Sequence, residues 1–290
     1  MKSLTLLATN FLILSSAHAD LSVASLSTIT TDLALNIGGS HVRVEGINKP
    51  GVDPHEFEPT PGDVKKVANA NLVLFTGKGI EGYLPKLEEA AGGGTVGAKF
   101  VNVGSVIPSL TMTENGEKIV DPHWWHSVKN MKLAIKAVAT AFEKADPTNA
   151  ADYEKNTAMY LASLDELERW IRVTVAQLPH SSRKLVTSHD ALQYFARDYG
   201  FTIYPIKGVA TTEEPSSSHV REIIDVIKNE GVKAVFFESI ENPRAVQQIS
   251  SETGARIGGT LYSDGLGDKE ANTYDSMMRH NVSTLVDGLK

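Results

Sequence analysis

The sequence predicts an α/β protein of two lobes carried on one long helix. Three observations lead there. Short β-branched runs alternate with helical patterns through the first half, an apolar stripe from Pro147 to Leu178 interrupts them, and the alternation then resumes to the C-terminus.

In chain order, Leu21 to Ala24, Val42 to Ile47, Leu72 to Phe75 and Phe100 to Val103 read as strands. Helices are signalled by Pro61-Gly62-Asp63 leading into Val64 to Ala70, by Ile80 to Ala91, and by Ser127 leading into Met131 to Ala145. The Ala91-Gly92-Gly93-Gly94-Thr95 run closes a helix and lacks the spacing of a phosphate-binding loop. From Pro147 to Leu178, Tyr153, Tyr160, Leu161, Leu164, Leu167, Trp170, Ile171, Val173 and Leu178 are spaced for an apolar stripe, and Pro147 suits a first turn. A single helix of about thirty residues would run ~45 Å and act as a strut. Beyond it, Leu185 to Thr187, Thr202 to Ile206, Ala234 to Glu238 and Ala255 to Gly258 read as strands; Ala191 to Tyr199, Ser218 to Asn229, Pro243 to Thr253 and Tyr274 to Leu289 read as helices. The division expected is 1–19 as a leader, 20–146 and 181–290 as lobes, and 147–180 as the connection.

The leader reading rests on Lys2, the apolar stretch Leu4 to Leu14 and the small-residue site Ala17-His18-Ala19, a secretory signal peptide too short to span a bilayer. The chain has no cysteine, which removes disulfides, thiolate metal sites and a lipid-attachment residue. A free periplasmic protein is therefore expected. Loss of Lys2 turns the formal charge of −7 into −8, which disfavours nucleic acid as a partner.

Asp-Pro-His occurs twice, at Asp53-Pro54-His55 and Asp121-Pro122-His123. Proline fixes its own φ and holds the preceding residue extended, so each imidazole leaves the main chain in a preset direction. His189 follows the apolar run Lys184 to Ser188, and Asp264 lies in the loop-like Leu261 to Gly265. Ends of strands are where α/β folds gather ligands, and three imidazoles with one carboxylate complete a tetrahedral metal shell.

The segments Asp53-Pro54-His55-Glu56-Phe57-Glu58-Pro59, Asp121-Pro122-His123-Trp124-Trp125, Thr187-Ser188-His189-Asp190-Ala191, Phe237-Glu238 and Leu261-Tyr262-Ser263-Asp264 resemble the solute-binding proteins of metal-ion ABC importers, which carry zinc or manganese. The resemblance spans Asp20 to Lys290. It implies two mostly parallel four-stranded lobes joined by a rigid helix, with His55, His123, His189 and Asp264 as metal ligands in the interlobe cleft. It also implies an inner-membrane ABC permease with its ATPase as partner, and the chain is expected to work as a monomer. Histidine as third ligand favours Zn2+ as the transported ion, since manganese suits oxygen donors; Mn2+ or iron is the alternative. A histidine-rich capture loop is missing, because Gly77 to Val120 holds no histidine. His126 reads either as a surface histidine or as a partner to a ligand. Glu56 and Glu58 are candidates to orient His55, Glu238 to bond a ligand imidazole, and Trp124 and Trp125 to fill an interface. Acid should weaken binding below pH ~6.5, where imidazoles protonate.

A secreted zinc hydrolase is the competing class. It needs an open coordination position and a general base. Four protein ligands leave none, and the chain lacks both His-Glu-x-x-His and Gly-x-Ser-x-Gly. No enzymatic activity is expected.

Overall fold

The computed structural model describes residues 21–92, 99–114, 116–211, 215–240 and 242–290. The expected leader, 1–19, and the glycine run from Gly93 lie outside them. Two four-stranded parallel sheets form the lobes.

The first lobe comprises β1 (Leu21–Ser25), α1 (Thr28–Gly38), β2 (Val42–Gly46), α2 (Pro61–Asn69), β3 (Leu72–Phe75), α3 (Leu84–Ala90) and β4 (Phe100–Asn102), with sheet order β2-β1-β3-β4. Continuous apolar runs such as Leu72-Val73-Leu74-Phe75 are buried along their whole length, as a sheet covered on both faces requires. Caps fix the helix starts: Ser27 forms a capping box with Thr30 on α1, and Thr60 forms one with Asp63 on α2, where Pro61 occupies the first turn. An antiparallel hairpin, β5 (Thr111–Glu114) with β6 (Glu117–Val120), stands outside the sheet, and α4 (Val128–Ala145) follows. The hairpin was not anticipated, because its strands are polar and largely exposed.

The connecting stretch begins as a 3-10 turn, Pro147–Asn149, and continues as α5 (Ala150–Val175). It is one helix, as the stripe predicts, but 26 residues long; a turn at Ala176 to Leu178 ends it before Pro179. Its buried face is Tyr153, Tyr160, Leu164, Leu167, Ile171 and Val175. Each aliphatic member contributes roughly 1.5–3 kcal/mol by leaving water.

The second lobe comprises β7 (Lys184–Thr187), α6 (Gln193–Tyr199), β8 (Thr202–Pro205), α7 (Ser217–Glu230), β9 (Ala234–Glu238), α8 (Arg244–Thr253), β10 (Arg256–Leu261) and α9 (Tyr274–Leu289), with sheet order β10-β9-β7-β8. β10 extends to Leu261, beyond the predicted Gly258, and pairs with β9 through a register irregularity between Ile257 and Gly259. The helix α8 stops at Gly254, whose φ of +74° is the left-handed C-cap that glycine adopts without strain.

α5 packs on α1 and α4 from the first lobe and on α9 from the second. One apolar cluster therefore runs from Leu21 and Val23 through Leu164 and Leu167 to Leu285 and Leu289. Two smaller clusters fill the outer faces, around Val73 in the first lobe and Val235 in the second.

Candidate metal centre

Both Asp-Pro-His copies fold into the same turn. The Asp53 Oδ1 accepts from the His55 N–H at 2.8 Å, and the Asp121 Oδ1 accepts from the His123 N–H at 2.9 Å. Aspartate is the residue that closes such a turn on the amide two positions on, and the intervening proline holds it extended. His55 lies in the loop after β2, and His123 follows the hairpin strand β6 rather than a strand of the sheet.

In the second lobe His189 follows β7 and Asp264 follows β10, while Glu238 ends β9, the strand between them. Glu238 serves both neighbours. Its Oε1 accepts from the His189 N–H at 3.1 Å, its Oε2 pairs with His189 Nδ1, and the same Oε2 lies 2.8 Å from Ser263 Oγ. The expectation that Glu238 bonds an imidazole holds. Behind His123, Asp121 Oδ1 takes the ring Nδ1 at 2.9 Å. These acids fix the tautomer, leaving Nε2 of each ring to face the cleft.

The four predicted residues converge between the lobes. His55 Nε2 lies 3.2 Å from His123 Nε2, and His189 Nε2 lies 3.4 Å from His123 Nε2. Asp264 Oδ1 is 3.3, 3.1 and 3.3 Å from the Nε2 atoms of His55, His123 and His189. One donor atom from each of the four lies within 4.8 Å of the rest. A tetrahedral ion with bonds of ~2.0–2.2 Å has ligand–ligand edges of ~3.3–3.6 Å, so the five short separations suit one shared ion. The second carboxylate oxygen, Asp264 Oδ2, is turned away to Ser263 Oγ at 2.8 Å.

The electrostatics follow from this crowding. Burial works against charge on His123, but bonds and attraction to Asp121 and Asp264 outweigh it and raise the imidazole to about 9. His189 is likewise raised well above the ordinary range, burial being overcome by Asp264 and Glu238. Asp264 is held well below the usual carboxylate range by the three histidines despite its burial.

His123, His189 and Asp264 are buried, whereas His55 is half-buried. Glu56 and Glu58 are exposed and line a cavity of about 470 Å³ beside His55, together with Phe57, Tyr83 and Lys86. Trp124 and Trp125 fill the lobe junction: Trp124 Nε1 donates to the Thr76 carbonyl in the first lobe at 3.1 Å, and Trp125 Nε1 to the Ser263 carbonyl in the second at 2.9 Å. His126 is buried, which corrects the surface reading. Sequence reasoning passed over Ser263 and Thr211, because a single serine or threonine carries no pattern.

Residues 23–288 match the family described as "Zinc-uptake complex component A periplasmic". The manganese-binding lipoprotein MntA of Bacillus subtilis is 36% identical over 283 residues, covering 95% of this chain and 92% of that protein. The iron-binding protein YfeA of Yersinia pestis is 33% identical, covering 92% of this chain and 85% of its own length. Among solved structures, the periplasmic zinc-binding protein TroA of Treponema pallidum superposes with a TM-score of 0.87 at 32% identity, covering 93% of this chain and 99% of that one. Each of these is named as a metal-binding protein.

Proposed function

Because the chain belongs to the family of periplasmic zinc-uptake component A proteins, metal-binding ABC solute-binding proteins that work with a permease and its ATPase, we propose that His55, His123, His189 and Asp264 jointly hold one divalent transition-metal ion as cargo. The observation that carries this reading is the convergence of three imidazole Nε2 atoms and one carboxylate oxygen, with five separations of 3.1–3.4 Å, drawn from loops of both lobes. The ion would lose its waters to these four atoms as it enters the cleft, and the loaded protein would present it to the permease. No open position for a hydrolytic water is left in a four-ligand shell.

Zinc is the cargo this donor set supports. With Asp264 Oδ2 engaged by Ser263, the carboxylate offers one oxygen, which suits four-coordination and nitrogen-rich ligation. Manganese is the second reading, favoured by the relative MntA, whose name is manganese-binding. Purified protein should retain zinc on metal analysis and prefer zinc to manganese in chelator competition, with His189→Ala and Asp264→Ala losing that zinc affinity. A parent preferring manganese would overturn the metal; undiminished zinc binding in both variants would overturn the site.

The proposed place of action is the outer face of the cytoplasmic membrane, reached through removal of Met1 to Ala19, with residues 20–146 and 181–290 as lobes and 147–180 as their connection. MntA is named a lipoprotein, which departs from the free state expected from the missing cysteine. Free and tethered forms meet the permease at the same face. Among the described residues no helix is long and apolar enough to cross a membrane.

A further inference from the structure

Trp125 and His126 leave the first lobe side by side and end on one atom of the second. His126 Nε2 lies 2.7 Å from the Ser263 carbonyl oxygen, and Trp125 Nε1 donates to the same oxygen at 2.9 Å. A carbonyl has two lone pairs, and here both are used by donors from the other lobe. Ser263 is fully buried, and its hydroxyl proton lies between Asp264 Oδ2 and Glu238 Oε2, each 2.8 Å away. The residue that His126 grips thus holds Asp264 and the acid behind His189 at once.

We infer that His126 is a positioning residue for the metal site: by pinning the Ser263 carbonyl across the cleft, it keeps Asp264 presenting a single oxygen to the ion. Its acceptor is a carbonyl, so the ring must carry its proton on Nε2. Burial pulls this imidazole down to about 4, against the opposing bond to Ser263, so it donates as a neutral group and adds no positive charge beside His123. An apolar residue of similar volume would leave the carbonyl with one partner and let Asp264 rotate. Partners one step behind a metal ligand typically govern affinity by roughly 10–100-fold.

This inference rests on the four-group site proposed above, and its test separates the two. In the full chain, His126→Leu should release zinc about tenfold faster than the parent, and His126→Gln, which restores an N–H near the same place, should return to within about threefold. With cobalt(II) as probe, the visible bands of a tetrahedral ion should weaken in His126→Leu and recover in His126→Gln, a change that general loosening of the fold would not restore. Parent-like release and spectra in His126→Leu, or equal impairment of both variants, would overturn the inference. Should His126→Leu fail to fold, Trp125→Phe removes the other bond to the same carbonyl and must shift release and spectrum the same way; parent-like behaviour there also overturns it. A parent that binds neither zinc nor cobalt would refute the site itself.

Discussion

The two Asp-Pro-His copies share sequence and turn, yet they do different work. In the second copy Asp121 closes the turn and also takes the His123 ring nitrogen, within a fully buried pocket. In the first copy Asp53 closes the turn with one oxygen and accepts from Thr211 Oγ1 of the second lobe with the other, at 2.6 Å. One copy orients its imidazole; the other ties its loop to the opposite lobe. A tripeptide therefore sets the direction of a histidine, while the second partner its aspartate takes differs: the imidazole itself at Asp121 Oδ1, and Thr211 of the opposite lobe at Asp53 Oδ2.

The largest test of this contrast removes the imidazoles themselves. His123→Ala should lower zinc affinity by more than the roughly 100-fold that loss of an outer partner costs, and His55→Ala by clearly less, in chelator competition. Equal losses would break the contrast.

Protons come next. His123, raised to about 9, and His189, raised by Asp264 and Glu238, must both deprotonate to ligate. Two imidazolium charges are then exchanged for one dication, so binding near neutral pH should release up to two protons. Affinity should fall by up to tenfold per proton for each pH unit lost, beginning well above the ~6.5 expected from unperturbed imidazole. Calorimetric titration in buffers of different ionisation enthalpy counts those protons; none released at pH ~7.5 would refute the shifts. In the metal-free protein the sign reverses. A raised folded pKa stabilises fully below ~6.5 and that contribution is lost as pH rises through about 9, so the apo melting temperature should drop across that window.

The smallest effect is expected at the tie. Thr211→Val removes the bond to Asp53, a net ~0.5–1.5 kcal/mol, and should speed zinc release by roughly 2- to 12-fold in stopped-flow chelation while leaving the cobalt spectrum unchanged. A spectral change would mean that Asp53 shapes the ligand geometry after all.

Much of this was legible in the chain. Parallel strands buried on both faces announce themselves as runs such as Leu72 to Phe75, and strand ends then locate His189 and Glu238. The hairpin was missed although Asn115-Gly116 is a strong two-residue turn signal, because its flanking strands bury little. Glu238 was legible as an acid at a strand end, but its partnership with His189 depends on β7 and β9 pairing across 49 residues. His126 was legible only as one of two readings for a related reason: its bond is to the Ser263 carbonyl, 137 positions away in the other lobe.

The apolar cluster shared through α5 has a consequence for how the molecule comes apart. Leu164 and Leu167 belong to the same core as Val23 and Leu285, so neither sheet can lose its packing without exposing surface in the other. Heating should accordingly give one cooperative calorimetric transition instead of two. A chain cut near the middle of α5 would leave two fragments that each lack a wall.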